Sequence, residues 1–211
     1  MSRWQQALMF LLATVSIISV NGRNVSDLLD DRRVAPSDNG DPVIVNVGSV
    51  IQRIVDFDDD QLTVDMGIIM SWKDDRLKEL TTKAGRSLHL RPEDVWIPDV
   101  TPYEGVKGWD FNPNVKLSHP DGTLYYTPIS RLYTDKCKLK SIGVRECTIR
   151  LGTWTYDTTE VDIQPTGIQF YEYQQHELFE ITSSSMSRHT SNEPCCGAFP
   201  GVKLSFDIQT R

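Results

Sequence analysis

The sequence lacks any apolar run long enough to cross a bilayer. The longest apolar stretch, residues 7–20, follows Arg3 and precedes small and polar residues. A positive start, a short apolar centre and small residues after it are typical of a secretory signal peptide. We therefore expect residues 1–22 to be a signal peptide, with cleavage before Arg23 or one or two residues away. Residues 23–211 should then form one secreted domain without membrane insertion.

The sequence also lacks the signatures of common catalytic and metal sites. There is no GxSxG nucleophile elbow. Asp56, Asp58 and Asp60 match the start of a calcium-binding EF-hand loop, but Gln61 and Gly67 stand where that loop requires glycine and glutamate. The four histidines share no metal-ligand spacing with each other or with the cysteines. We therefore expect neither an enzyme nor a bound metal or cofactor.

Basic residues are outnumbered, with 22 Lys and Arg against 29 Asp and Glu, and the formal net charge is −7. Loss of Arg3 with the signal peptide would make the secreted chain more acidic by one charge. An acidic surface argues against nucleic acid as a partner and favours cationic partners. It is equally typical of a merely soluble secreted protein.

Cysteines are few, and four in an oxidising compartment allow three disulfide connectivities. Cys137 and Cys147 flank a short loop, whereas Cys195 and Cys196 are neighbours. This spacing favours the pairs 137–147 and 195–196, although each neighbour could instead bond to one of the other two. Asn24 begins an Asn-Val-Ser glycosylation sequon.

The sequence does contain a succession of short segments in which apolar and polar residues alternate. Residues 25–34 have helical spacing, with Ser26 as an N-cap. From residue 43 onward the period is that of half-buried strands, separated by turn signals such as the acidic residues 56–60 and the Asp-Gly tip at 119–122. We expect residues 83–92, and the Ser/Asn-rich stretch carrying Cys195 and Cys196, to be loops. The predicted strands are at 43–54, 62–72, 115–117, 123–127, 147–151, 159–163, 177–182 and 202–208.

Together these elements predict a single all-β domain, a β-sandwich with a short N-terminal helix. Aromatic residues stand near the ends of its loops. For any single ring, core packing is the simpler interpretation. Several lie beside turns or cysteines, however, and rings that converge on a pocket would attract an organic cation through their π-faces. These residues are Tyr103, Trp109, Tyr125, Tyr126, Trp154, Tyr156 and Phe199.

Four motifs, in their order along the chain, resemble the ligand-binding domain of Cys-loop receptors. VWIPD at residues 95–99 with Tyr103 resembles its loop A, and GTWTY at residues 152–156 resembles loop B. Cys137 with Cys147 resembles the Cys-loop, and Cys195–Cys196 resembles the vicinal disulfide at the tip of loop C. The resemblance covers nearly all of residues 23–211.

This resemblance implies a ten-stranded immunoglobulin-like sandwich that assembles as a ring-shaped homopentamer with ligand bound between subunits. One face would supply the residues Tyr103, Trp154, Glu193, Cys195, Cys196 and Phe199. The opposite face would supply residues of the 62–72 strand together with Tyr125 and Thr127. Asp99 would brace loop B from behind.

The sequence departs from the family pattern at two ring positions. Glu193 replaces a loop C tyrosine, and Gly67 replaces the aromatic residue of the opposite face. The Cys-loop is also short and lacks the aromatic-proline motif of channel subunits. We therefore expect a secreted, soluble, acetylcholine-binding member of the family that captures acetylcholine or nicotine-like amines. The alternatives are the extracellular part of a nicotinic-type channel subunit and a structural secreted pentamer with a degenerate pocket.

Overall fold

The computed structural model describes residues 34–37 and 40–211, apart from the side chains of residues 107–110, and the backbone of two short N-terminal strands. These two strands are β1 (Ser19–Val20) and β2 (Arg23–Asn24), which pair antiparallel. Within the described ranges there is one α-helix, α1 (Lys78–Ala84), which follows the 3-10 turn Asp75–Leu77; a second 3-10 turn spans Pro92–Asp94. The remaining strands are β3 (Val43–Asp58), β4 (Gln61–Lys73), β5 (Leu88–Leu90), β6 (Val100–Pro102), β7 (Val106–Phe111), β8 (Val115–Leu117), β9 (Thr123–Tyr126), β10 (Ile129–Tyr133), β11 (Lys138–Ser141), β12 (Val144–Thr153), β13 (Val161–Gln169), β14 (Phe179–Glu193) and β15 (Gly197–Thr210).

Two sheets form the sandwich. The larger has eight strands in the order β13-β3-β4-β9-β8-β5, with β10 beside β4 and β7 beside β10. The smaller has five strands in the order β11-β12-β15-β14, with β6 beside β12. Strand β13 runs parallel to β3, and the other strand pairs are antiparallel. The predicted all-β sandwich is therefore confirmed.

The core lies between the sheets and follows the period-2 alternation of the strands. On β12, Cys147, Ile149 and Leu151 are buried, whereas Thr148 and Arg150 are half-buried on the other face. Each fully buried aliphatic side chain contributes about 1.5–3 kcal/mol to folding. The facing strand β15 buries Val202, Leu204, Phe206 and Ile208 in the same way.

The expected hairpin turns are confirmed. Asp59 and Asp60 connect β3 to β4 with positive φ angles of 47° and 61°, and Asp58 pairs with Gln61. Two central residues in the left-handed region match the right-handed twist of the flanking strands. The acidic residues therefore form a solvated turn.

Two predictions about loops were wrong. Residues 83–92 were predicted to be a loop, but the first two of them form the end of α1. Asp74 accepts a hydrogen bond from the Arg76 backbone N–H (3.1 Å) at the start of the 3-10 turn, and Gly85, with φ 64°, ends the helix. The expected Ser/Asn-rich loop instead forms the second half of β14, which pairs with β15 as far as Glu193. A partner strand that satisfies the backbone of β14 outweighs its weak strand propensity.

The predicted signal peptide, except for β1, and the predicted helix at 25–34, except for Val34, lie outside the described residues. Glycosylation at Asn24 stays a prediction. Among the described residues, none of the helices combines the length and apolar character needed to span a membrane.

A buried carboxylate joins three strands of the larger sheet. The side chain of Asp65 on β4 is 5% exposed, and its oxygens accept hydrogen bonds from Arg131 Nε (2.7 Å), Arg131 Nη2 (3.0 Å) and Arg53 Nε (2.7 Å). Burial would raise the pKa of Asp65, but the hydrogen bonds from Arg131 and Arg53 outweigh burial and hold the pKa below its usual value. The three residues therefore brace β3, β4 and β10 against one another.

We predict that Asp65→Asn lowers the free energy of unfolding at pH 7 by about 2 kcal/mol, because charge-assisted hydrogen bonds are lost. A lowered folded-state pKa stabilises the fold above the unfolded pKa of about 3.9, and this stabilisation disappears as pH falls through the folded pKa. The difference between wild type and variant in urea unfolding should therefore shrink below about pH 4. Asp59→Asn, which breaks the exposed pair with Lys136, is the control and should change stability much less. Equal effects at pH 7 would contradict the role of Asp65.

Candidate functional site

One cavity of about 540 Å³ lies where the end of β12 meets the tip of the β14–β15 hairpin. It brings together five of the residues expected to form one face of the site. It also contains three residues that the sequence analysis did not select, Arg150, Thr153 and Ser191. The five expected residues are Tyr103, Trp154, Glu193, Cys196 and Phe199.

Tyr103 is placed by the pairing of β6 with β12. Its backbone N–H donates to the Arg150 carbonyl (3.0 Å), and its hydroxyl donates to the Thr153 carbonyl (3.3 Å). The ring lies directly over Gly152. A Cβ at residue 152 would overlap the tyrosine hydroxyl and would stand 2.8 Å from Tyr103 Cζ. Gly152 is therefore what allows the ring to cross the strand end.

Trp154 follows β12, and 69% of its surface is exposed. The loop that carries it is held from behind, because Asp99 Oδ2 accepts hydrogen bonds from the Thr155 N–H (2.7 Å) and hydroxyl (2.6 Å). This is the bracing role that the resemblance implied for Asp99. Buried Thr153 adds a second brace, since its hydroxyl donates to the Tyr156 carbonyl (2.5 Å).

Tyr156 does not line the cavity. Its hydroxyl accepts a hydrogen bond from Trp96 Nε1 (2.9 Å), and the two rings pack edge to face with centroids 5.6 Å apart. Trp96 in turn packs against buried Trp72 at 5.9 Å. Tyr156 therefore connects the Trp154 loop to the core, and this explains why it is aromatic.

The hairpin tip supplies the remaining expected residues. Glu193 pairs with Gly197 across a turn that contains the Cys195–Cys196 disulfide, and Gly197 has φ 103°. Exposed Glu193 accepts a hydrogen bond from the Ser191 hydroxyl (2.8 Å). Half-buried Phe199 lies two residues beyond Gly197. Cys195 does not itself line the cavity and is linked to it through Cys196.

Arg150 and Glu104 are the functional candidates that sequence reasoning missed. Arg150 Nε donates to Glu104 Oε1 (2.7 Å), and the Arg150 backbone N–H donates to Glu104 Oε2 (2.8 Å). The guanidinium carbon lies 5.9 Å from the centre of the Tyr103 ring. Strand alternation alone places Arg150 opposite the buried Ile149 and Leu151, on the face of Gly152, and this was the available signal.

Burial and the charges of Arg150 and Glu104 affect the pKa values of Tyr103 and His189. Burial raises the pKa of Tyr103, with Glu193, Asp99 and Glu104 acting in the same direction and Arg150 against it. Burial, together with the positive charges of Arg150 and Lys203, lowers the pKa of His189. A lowered pKa disfavours the charged form of His189 beside these positive groups.

Tyr125 and Thr127, expected on the opposite face, do not line this cavity: Tyr125 is on β9 of the larger sheet, and Thr127 follows the end of that strand. Tyr125 is 43% exposed, with Lys116 Nζ 6.0 Å from its ring centre. Thr127 lies beside Gly67. A Cβ at residue 67 would stand 2.9 Å from Val50 Cγ1 and 3.1 Å from Thr127 Cγ2. These neighbours fill the space where a side chain at residue 67 would begin.

The second expected disulfide, Cys137–Cys147, is also present. It closes the β11–β12 hairpin, and the Cys137 N–H donates to the Asp60 carbonyl (2.6 Å) of the β3–β4 turn. It therefore ties both sheets together at the end of the sandwich. Among the described residues, no group of three His, Cys, Asp or Glu side chains is arranged to hold a metal ion.

Comparisons with known proteins agree with this architecture. The family model for the neurotransmitter-gated ion-channel ligand binding domain matches residues 21–211. The crystal structure of AChBP from Bulinus truncatus superimposes with a TM-score of 0.77 at 22% sequence identity, covering 89% of this chain and 97% of that one.

Curated relatives include receptor subunits. The chain is 24% identical to the neuronal acetylcholine receptor subunit alpha-2 of Homo sapiens over 182 residues, which is 80% of this chain and 34% of that subunit. It is 26% identical to subunit alpha-5 of Gallus gallus over 183 residues, or 80% of this chain and 39% of that subunit. The chain thus spans little more than a third of the length of these relatives.

The family match covers most of the chain, and the fold and both disulfides agree with it. The chain is a binding domain and not an enzyme. It belongs to the neurotransmitter-gated ion-channel ligand-binding domain family.

Proposed function

We propose that this protein is a secreted binding protein that captures small organic cations of the acetylcholine type in the cavity described above. The observation that carries the proposal is the convergence of Trp154, Phe199 and Glu193 on that cavity. The ligand would be held by cation–π contact and charge attraction and released unchanged.

Trp154 is the ring best suited to this role. Trp has the strongest attraction for cations among the aromatic side chains, and a desolvated contact contributes about 2 kcal/mol or more. Its large exposed fraction on a braced loop leaves its face free for a ligand. Tyr103 is less available, because Arg150 already lies over its ring.

The cavity is open on one side, and a second copy of the chain would cover it. We infer a homopentamer in which Tyr125 and Thr127 of the adjacent subunit complete each site. Exposed Tyr125 would supply a ring from that side. Gly67 supplies none, because glycine has no side chain, and Val50 and Thr127 occupy the space beside it.

The extracellular part of a nicotinic-type channel subunit is the second candidate. It is favoured by the relatives, which are receptor subunits matched over only 34% and 39% of their length. Sequencing of the full transcript distinguishes the two, since a channel subunit would encode apolar spans after residue 211.

We expect the secreted chain to form a stable oligomer of five subunits, because the proposed site needs an adjacent subunit to complete it. A cavity with one open side would bind ligand weakly until a neighbouring subunit covers it and excludes water. Sedimentation velocity at micromolar concentration measures this directly. A monomer as the sole species would overturn the intersubunit site.

Trp154→Ala should weaken binding of acetylcholine at least tenfold and leave the oligomer intact, since a contact of about 2 kcal/mol is lost from an exposed side chain. Trp154→Phe keeps a ring and should lose less. The control is Ile142→Ala, which truncates a fully exposed side chain on the β11–β12 turn, away from the cavity. Calorimetric titration that finds equal affinity for wild type and Trp154→Ala would rule out the contact.

Glu193→Gln should weaken acetylcholine binding by up to about fivefold at low salt, because an exposed carboxylate adds a modest attraction. The loss should diminish at high salt, where exposed charges are screened. Glu79→Gln on α1 is the control, since it removes the same charge away from the cavity. If Glu193→Gln matches wild type at both salt concentrations, Glu193 plays no electrostatic role.

A further inference from the structure

A cavity suited to organic cations contains a guanidinium of its own. The Arg150 side chain lines the cavity and is 40% exposed. It lies over Tyr103 at 5.9 Å from the ring centre, within the distance at which a cation interacts with an aromatic face. One of the three rings of the cavity therefore already has a cationic partner.

A buried carboxylate holds this guanidinium in place from one side. The Glu104 side chain is 1% exposed, and its two oxygens accept from Arg150 Nε (2.7 Å) and from the Arg150 backbone N–H (2.8 Å). Both bonds begin on the same residue, so they fix the position of the side chain relative to β12. Rigid placement of this kind reduces the entropy that is lost when a ligand binds.

In the part of the chain that the structure describes, the terminal amino groups of Arg150 donate no hydrogen bond within 3.5 Å. Among the residues that the structure describes, the nearest charged partner of Nη2 is Asp135 Oδ2 at 3.7 Å, which exceeds hydrogen-bond distance, and the Asp135 side chain is 70% exposed. Arginine presents its terminal N–H groups as a fork that matches a carboxylate. The cavity therefore offers a fixed donor pair beside Tyr103.

The same cavity is also lined by a negative charge. Glu193 is at the hairpin tip, and Trp154 is exposed on its own loop. A ligand ammonium placed over Tyr103 would be repelled by Arg150, whereas one placed at Trp154 would be attracted by both the ring and Glu193. The cavity thus offers a partner for a cationic group and a separate partner for an anionic group.

We propose that the preferred ligand of this site is a small zwitterion, a quaternary or protonated amine that also carries a carboxylate. Its ammonium binds at Trp154 and Glu193, and its carboxylate accepts hydrogen bonds from Arg150. This inference rests on the proposed function and names its ligand class.

Matched ligand pairs test the proposal without any variant. Glycine betaine and γ-butyrobetaine are trimethylammonium carboxylates, and their methyl esters keep the ammonium and remove the negative charge. Calorimetric titration of the full oligomer should show at least one acid binding about tenfold more tightly than its own ester, because a charge-assisted fork replaces a neutral acceptor.

A charge-neutral pair of substitutions tests the role of Arg150. In the double variant Glu104→Gln with Arg150→Gln, an amide pair replaces the ion pair, and the preference for the acid should be lost while the ester binds at least as tightly as before. Arg150→Lys, which keeps a positive charge for Glu104, should weaken the preference and serves if the double variant does not fold. The double variant Lys140→Gln with Asp207→Asn removes an ion pair on β11 and β15, outside the cavity, and should keep the wild-type preference.

The outcomes separate the two claims. Binding of the esters with no preference for either acid would overturn the zwitterion proposal and leave the cation-binding function intact. If both Arg150 variants keep the wild-type preference for the acid, Arg150 does not bind the ligand carboxylate. Failure of acids, esters and acetylcholine alike to bind would overturn the proposed function itself.

Discussion

The candidate site depends on the close approach of backbone segments at the end of β12. Gly152 pairs with Gly201 of β15 and with Thr101 of β6. A Cβ on Gly201 would stand 3.1 Å from Gly152 Cα, and a Cβ on Gly152 would stand 3.1 Å from the Pro200 carbonyl oxygen. Two glycines facing each other therefore let β6 and β15 approach β12 closely enough for Tyr103 and the hairpin tip to share one cavity.

Around this point, the chain uses buried carboxylates to hold arginines. Glu104 fixes Arg150 within the cavity, and Asp65 fixes Arg131 and Arg53 on the larger sheet. In both cases the carboxylate is almost fully buried and the guanidiniums are partly exposed. Such an arrangement compensates the buried charge while leaving N–H donors near the surface. The cavity consequently contains positive and negative groups together, and an aromatic box alone would not distinguish a zwitterion from a simple cation.

Much of the fold could be predicted from alternation and turn chemistry. The buried face of β12 follows from Ile149 and Leu151, and the Asp59–Asp60 turn follows from the acidic residues between two alternating runs. Strand β14 could not be predicted in full, because its second half is a serine-rich sequence that becomes a strand through its pairing with β15. The helix α1 was missed although Asp74 and Gly85 mark its ends, since a short helix with little buried surface has a weak periodic signal.

By itself, the sequence determined which residue types the site would contain. The motifs around Tyr103, Trp154 and Cys195–Cys196 identify the family, because each places an aromatic or strained element at a fixed distance from a strand. Only the tertiary structure decided which of those residues line the cavity and which pack in the core. Tyr156 forms a hydrogen bond with Trp96 and packs on the core, so it does not line the cavity. Arg150 lies over the Tyr103 ring, and Val50 fills the space beside Gly67. These outcomes depend on contacts between residues 46 to 60 positions apart or on pairing between neighbouring strands, and a local pattern in one chain segment cannot specify such contacts.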